Sequence, residues 1–285
     1  MRRIAAWRGC AWRADLALST EESRVSLTIA TWNINSVRLR QSLVARFLTE
    51  ERPDVVCLQE TKSPVESVPR EPFEALGYRL VAAKGFKGYN GVAILARGPA
   101  EERPSMRMCG KDDARHCAIQ IGGAVIHNFY VPAGGDEPDR ERNPKFDHKL
   151  DFVDEMAEWS RGLDGLHVLT GDLNIAPQED DVWNHKQLLK VVSHTPVETE
   201  GMLRLMEAGG WRDTTRADIP APAKVFSWWS YRSPDWDAAD KGRRLDHIWV
   251  RGGEAHVSGS SRVLRRWRGT ERPSDHVPVL ADFDL

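Results

Sequence analysis

Leu27-Thr28-Ile29-Ala30-Thr31-Trp32-Asn33 alternates apolar and polar side chains and is rich in β-branched residues, which predicts a strand. The spacing then changes. Between Arg38 and Glu51, Leu39, Leu43, Phe47 and Leu48 fall on one helical face, and Pro53 closes that helix. Asp54 to Glu60 (DVVCLQE) is a short apolar run ending in polar groups, the pattern of a buried strand. Tyr78–Ala83 and Val92–Arg97 read as strands around a glycine-rich connection, Gly85 to Gly91. Cys117–Ile121 and Ala124–Val131 are separated by Gly122-Gly123, a hairpin signal. After a Pro/Gly/Asp-rich loop, Pro132 to Pro144, a helix is predicted from Lys145 to about Arg161, with Phe146, Leu150, Val153 and Ala157 inward. Leu166–Thr170 is a further buried strand and runs straight into Gly171-Asp172-Leu173-Asn174. A helix near Met202–Ala208 and strands around Leu245–Val250 and Val277–Phe283 complete the pattern.

Strands lie at both ends of the chain with helices between, and neither a repeat nor a linker divides it. One α/β domain over residues 25–285 with two packed sheets is the simplest architecture. The first 24 residues differ: they carry Arg2, Arg3, Arg8, Arg13 and Arg24 and little apolar periodicity. Charge interrupts any secretory core there, so the segment reads as a disordered extension, with Val25 as an alternative start and an organelle transit peptide as the other reading. A cytoplasmic monomer is expected. No apolar run approaches the ~20 residues of a membrane span. Cys10, Cys57, Cys109 and Cys117 stand alone without a C-x-x-C pair, as reduced thiols do.

Hydrophobic residues make up 41% and charged residues 29% of 285, a soluble globular composition. With 40 Lys+Arg against 42 Asp+Glu the net charge is −2, which excludes a strongly basic binder and taken alone argues against a nucleic-acid partner. Position alters that. From Lys241 to Arg272 nine basic residues face three acidic ones, and Arg262 to Arg268, with Trp267 among them, is a candidate phosphate-binding edge.

Polar clusters recur where strands end: Asn33 with Asn35, Gln59-Glu60-Thr61-Lys62, Tyr130, Gly171-Asp172-Leu173-Asn174, Leu245-Asp246-His247 and Ser274-Asp275-His276. On one rim of a rigid sheet they would converge on one pocket. Their oxygen donors suit Mg²⁺ or Mn²⁺ rather than zinc. Each member alone has a plainer meaning. Glu60 reads as a solvated strand end, Asp172 as a turn residue, Ser274-Asp275-His276 as a cap, and Asp246 as the partner of a nearby Arg. The set outweighs its members, because buried strands seldom end in carboxylates for packing reasons.

The blocks ATWNINSVR, DVVCLQETK, NFYVP, GDLNIAP, FSWWSYRS, RRLDHI and SDHVPV, in this order, resemble the exonuclease III family of DNA repair nucleases, over about Leu27 to Leu285. The resemblance implies a four-layered α/β sandwich, two packed mixed β-sheets flanked by helices. It implies Mg²⁺-dependent cleavage of duplex DNA 5′ to an abasic site, and removal of nucleotides or blocking groups from damaged 3′ ends. By position, Glu60 resembles the metal-binding carboxylate, with Asn33, Asp172, Asn174, Asp275 and His276 also near metal or phosphate. Asp172 matches the group that activates water, Asn174 its partner, Tyr130 the phosphate contact, and Asp246 the residue that orients His276. Trp228 and Leu245 match walls of a pocket for a baseless sugar, and Arg232 a residue near the duplex. An isolated Trp-Trp in Phe226–Arg232 would otherwise read as core.

Two positions depart from the family pattern: Ala133, where an amide is common, and Arg243, where some relatives carry an apolar pocket residue. Asp181 to Gln187 reads either as a DNA-facing loop or as a surface helix with Trp183 buried. Two other functions compete. A phosphatase of the same superfamily, acting on a lipid or inositol phosphate, would use the same carboxylates and His276. A DNA-binding protein without catalysis would have no use for carboxylates that repel DNA.

Overall fold

The computed structural model describes residues 26–285; the N-terminal extension expected over residues 1–24 lies outside them. Twelve strands form two six-stranded sheets. The first has the order β11 (Arg262–Val263), β12 (Val279–Asp284), β1 (Ser26–Asn33), β2 (Val55–Gln59), β4 (Val92–Ala96), β3 (Arg79–Lys84). The second has the order β5 (Glu101–Arg103), β6 (His116–Ile121), β7 (Ala124–Tyr130), β8 (Leu166–Asp172), β10 (Asp246–Arg251), β9 (Arg212–Asp213).

Each sheet has one parallel pair near its centre, β1 with β2 and β7 with β8, and antiparallel neighbours outside it. This arrangement places the site. Parallel neighbours end on the same rim, so Asn33 and Gln59 are in register, as are Tyr130 and Asp172. An antiparallel strand begins where its neighbour ends, so Asp246 opens β10 opposite Asp172. His276, just before β12, bridges to Trp228 on that side.

Ile29, Cys57, Ile94, Ile119, Ile126, Val168 and Ile248 form the core between the sheets. The opposite face of the first sheet buries Trp32, Val56 and Leu58 against Val44, Phe47 and Leu48 of the helix Gln41–Glu50. The opposite face of the second buries Leu169 and Trp249 against the helices Pro144–Arg161 and Pro196–Gly209. The layers therefore run helix, sheet, sheet, helix, the expected four-layered α/β sandwich.

Several boundaries differ from the sequence reading. The first helix starts at Gln41 because Arg38–Arg40 belong to a turn. The helix predicted near Met202 begins at Pro196, where Thr195 and Glu198 form a capping box. Cys57, Cys109 and Cys117 are free thiols. The candidate phosphate edge is corrected. Arg262 pairs with Asp282, Arg265 with Asp237 and Asp240, and Arg266 with Glu50 and Glu51. Arg268 is buried against Tyr231 and Trp236. The acids that neutralise this run are distant in the sequence and adjacent in the fold.

Candidate active site

Four side chains at the rim project from left-handed backbone: Asn35 (φ 47°), Glu60 (φ 50°), Lys62 (φ 50°) and Asn174 (φ 54°). Such conformations are costly for residues other than glycine and concentrate where side chains must be aimed. At Gly171 a Cβ would lie 1.9 Å from the Phe129 carbonyl oxygen, so only glycine lets β8 approach β7 and carry Asp172 to the rim.

Asn33 joins the two sheets. Its Nδ2 donates to Glu60 Oε1 at 3.0 Å and to Asp172 Oδ2 at 2.8 Å. Its Oδ1 accepts from the Asn35 backbone N–H at 3.1 Å. A backbone N–H can only donate, so this bond fixes the amide orientation. Asn33 bridges the two carboxylates through Nδ2, while its Oδ1, which keeps a second lone pair, accepts from the Asn35 backbone. Glu60 also accepts from the Tyr130 hydroxyl at 2.8 Å and pairs with Lys62 at 2.7 Å. Burial acts to raise its pKa, but the bonds from Asn33, Lys62 and Tyr130 prevail and hold it below the ordinary carboxylate value.

His276 stands between two carboxylates. Its Nδ1 donates to Asp246 Oδ2 at 2.8 Å, and its Nε2 lies 3.7 Å from Asp172 Oδ2. Ser227 Oγ donates to the same Asp246 oxygen at 2.6 Å and accepts from the Leu245 and Asp246 amides. Burial opposes the imidazolium, yet Asp246 and Asp172 outweigh it and raise its pKa to about 10. Asp172 is driven the other way from an ordinary acid: burial first, then Asp246 and Glu60, lift it to about 7 against the pull of His276. The geometry is a cation held between acids, with a neighbouring carboxylate poised to take a proton near neutrality. Asp172, Asp246 and His276 hold their donor atoms within 4.8 Å of one another. His276, expected near metal or phosphate, stands in this group with its Nδ1 held by Asp246.

Asn174 donates twice within the chain: its backbone N–H donates to Asp172 Oδ1 at 3.0 Å, and its Nδ2 donates to the Val131 carbonyl at 2.9 Å. Its Oδ1 is left for the cleft. Asp275 accepts from Asn35 Nδ2 at 3.3 Å and from the Trp228 indole N–H at 3.0 Å. Its oxygens thus position the indole as well as facing the cleft.

The rim opens into a cleft of about 610 Å³ that reaches Glu60, Tyr130, Asn174, Asp275 and His276 at one end. Trp228, Leu245, Trp183, Arg232, Lys241 and Arg243 line its other part. Leu245 is buried, Trp228 half-buried and Arg232 exposed. The aromatic stretch is divided: Phe226 and Trp229 pack inward while Trp228 faces the cleft. Trp183 lines the cleft and is half-buried rather than buried, just ahead of a short helix, His185–Leu188.

Some supporting residues carry no local signal. Lys149 and Glu198 form a fully buried ion pair at 2.5 Å. Lys149 Nζ also donates to the Asn174 and Ala133 carbonyls, and Glu198 accepts from the Ser193 and Thr195 amides. Gln59 Nε2 donates to Asn128 Oδ1 at 2.7 Å, linking the sheets behind Glu60. Arg115 lies over the Tyr130 ring, 4.9 Å from its centroid, and donates to the Tyr130 carbonyl. Only the helical register of Lys149, beside Leu150 and Val153, hinted that a charge would be buried there.

Residues 30–276 match the model of the Endonuclease/Exonuclease/phosphatase family. The chain is 31% identical over 275 residues to exodeoxyribonuclease III of Haemophilus influenzae, covering 89% of this chain and 98% of that protein. It is 28% identical over 263 residues to an exodeoxyribonuclease of Bacillus subtilis, with 89% and 98% covered. Among solved structures, an AP endonuclease from Archaeoglobus fulgidus superposes with a TM-score of 0.82 at 30% identity, covering 91% of this chain and all of the other. A 3′ phosphatase, NExo from Neisseria bound to product DNA hairpin, gives a TM-score of 0.82 at 29% identity with the same coverage.

Proposed function

From the premise that this chain belongs to the endonuclease/exonuclease/phosphatase family, in its exonuclease III branch, we propose the reaction and the roles that follow. The protein is a hydrolytic, metal-dependent DNA repair nuclease. Its substrates are duplex DNA carrying an abasic site, cut on the 5′ side, and damaged or blocked 3′ ends. The observation that carries this reading is the His276 imidazolium held between Asp246 and Asp172 beside the Glu60–Asn33–Asp172 cluster, at the end of a cleft walled by Trp228 and Leu245.

The donor set fits a hard divalent cation. Glu60 and Asp172 crowd two carboxylates around one amide, with a single ammonium, Lys62, against Glu60. Glu60 would hold Mg²⁺, with Asp172 in reach; such an ion would supply positive charge to offset that on the leaving oxygen. The remaining work falls to the chain. His276 donates Nε2–H to a phosphoryl oxygen and brings positive charge to it. Asp172, with its raised pKa, accepts a proton from the attacking water, which the Asn174 side-chain oxygen helps to orient. Tyr130, its hydroxyl already aligned by Glu60, contacts the phosphate. Trp228 and Leu245 present an apolar wall that admits a baseless sugar more readily than a full nucleotide.

A direct comparison tests the reading. The protein with Mg²⁺ is offered a duplex carrying a tetrahydrofuran abasic analogue, a duplex with a recessed 3′ end, and an inositol phosphate. Incision 5′ to the tetrahydrofuran, leaving a 3′-hydroxyl, is expected. Turnover of the inositol phosphate alone would transfer the site to the phosphatase reading.

A further inference from the structure

The cations at the far end of the cleft lack the acidic partners that neighbouring arginines have. Arg262, Arg265, Arg266, Arg216 and Arg244 all have acidic partners. Among the described residues Arg232, Lys241 and Arg243 have none within ion-pair distance, and all three line the cleft. The acids lining the same cleft are Glu60, Asp136 and Asp275, of which Glu60 and Asp275 belong to the catalytic end.

Arg243 is the most constrained of the three. Its backbone pairs with Trp228 in both directions, each N···O 3.0 Å. At the preceding Gly242 a Cβ would lie 2.5 Å from Phe226, so the backbone here packs directly against that residue. Its Nη1 donates to Ser193 Oγ at 2.8 Å and to the Val192 carbonyl at 3.1 Å. Its guanidinium lies over the Trp228 ring, 5.2 Å from the centroid. The opposite edge of the fork is unspent among the described residues: Nε is buried without a partner, and Nη2 makes no hydrogen bond to them. A desolvated guanidinium with no counter-ion is an unfinished site, and a planar oxyanion completes it with two parallel hydrogen bonds.

Its distance from the chemistry is set by the ladder. His276 bridges to Trp228, and Trp228 bridges to Arg243. Two strand spacings separate the backbones of His276 and Arg243, about 10 Å. That is the reach of a phosphate followed by a few atoms.

We propose that Arg243 makes this chain's pocket selective for a short carboxylate-bearing remnant attached to a 3′-terminal phosphate, of the 3′-phosphoglycolate kind, over an uncharged baseless sugar. The inference rests on the nuclease reading above and deepens it. In the reaction the oxygen of water bonds to phosphorus and the bond from phosphorus to the DNA O3′ breaks. One water proton passes to Asp172, the other stays on the oxygen now bonded to phosphorus, and O3′ takes up a proton from solvent to leave as a 3′-hydroxyl. The phosphoglycolate departs from the side where Arg243 holds its carboxylate.

The test is a ratio. kcat/KM is measured with Mg²⁺ on a duplex ending in 3′-phosphoglycolate and on one with an internal tetrahydrofuran, for the wild type, Arg243→Leu and Arg243→Lys. Arg243→Leu is expected to lower the phosphoglycolate-to-tetrahydrofuran ratio about tenfold or more, mainly through KM on the charged end. Arg243→Lys keeps the charge but not the planar fork, and is expected to lower the ratio by less than Arg243→Leu does. A ratio unchanged in Arg243→Leu, or lowered equally by both substitutions, overturns the proposal. If Arg243→Leu does not fold, Arg243→Gln takes its place with the same expectation. Failure of the wild type to cut either duplex would instead defeat the nuclease reading, so the two failures are distinguishable.

Discussion

At the scale of single residues, the site depends on charge states set by burial. Asp246 holds the proton on His276 Nδ1, and Ser227 holds Asp246. Asp246→Asn removes the charge that stabilises the imidazolium while keeping the volume, and incision is expected to fall by about 10²–10⁴-fold with the fold intact. Rapid-quench incision and a thermal melt check both halves. Trp228→Ala should abolish much of the preference for abasic over intact duplex, measured as the ratio of binding constants, because the pocket loses one wall. Most members of this site were legible as polar residues following apolar runs: Glu60 after VVCLQ and Asp172 after HVLTG. Their partners were not. Nothing beside Asn33 in the sequence says that its oxygen would accept from Asn35, because that bond follows from left-handed backbone at Asn35.

At the scale of elements, the two sheets bring their rims together and buried polar links keep them aligned. The Lys149–Glu198 pair lies between the helices Pro144–Arg161 and Pro196–Gly209 and grips the loops that carry Asn174, Ala133 and Ser193. Lys149→Met leaves Glu198 buried without a counter-charge and is expected to cost roughly 3–5 kcal/mol, read from the urea midpoint. Lys149→Met with Glu198→Leu should recover much of that loss, since an apolar pair carries no stranded charge. Long periodic elements such as β1 and the helix Pro144–Arg161 were readable from hydrophobic spacing. The strands β5, β9 and β11 were not. With two or three residues each, they owe their form to the neighbour they pair with rather than to their own pattern.

At the scale of the whole molecule, the net charge of −2 conceals how charge is distributed. Of the basic residues between Lys241 and Arg272, Arg244, Arg262, Arg265 and Arg266 are paired with acids brought from elsewhere, while Lys241 and Arg243 have no acidic partner among the described residues and line the cleft. Sequence spacing alone cannot separate these two groups, because the pairing is tertiary.

The second sheet carries a further whole-molecule property. His116, His127 and His167 form a column linked ring to ring at 3.2 and 3.0 Å, closed by the Met106 amide at one end and the Asp164 carbonyl at the other. The Met106 N–H can only donate and the Asp164 carbonyl can only accept, so each ring is neutral and passes one proton in the same direction. Burial lowers the pKa of all three, that of His116 to about 3 from 6.5. Unfolded imidazoles take up protons below 6.5 and the folded rings do not, so acid favours unfolding. The column's stability is full above about 6.5 and is lost as pH falls from there toward 3. Tm is expected to decline between pH 7 and pH 5, and His167→Gln should reduce that decline. A wild-type Tm independent of pH in this range would contradict it.

The proposed function requires this rim to hydrolyse a DNA phosphodiester through Asp172 and His276 beside a divalent cation held by Glu60. Single-turnover incision of a tetrahydrofuran duplex, with and without Mg²⁺, for the wild type and Glu60→Gln tests it most directly. The predicted result is Mg²⁺-dependent cleavage 5′ to the analogue by the wild type. Glu60→Gln should lose at least about 10²-fold in rate and need more Mg²⁺, while still binding the duplex. Wild-type cleavage that persists in excess chelator, or a Glu60→Gln rate and Mg²⁺ dependence equal to the wild type, would contradict it.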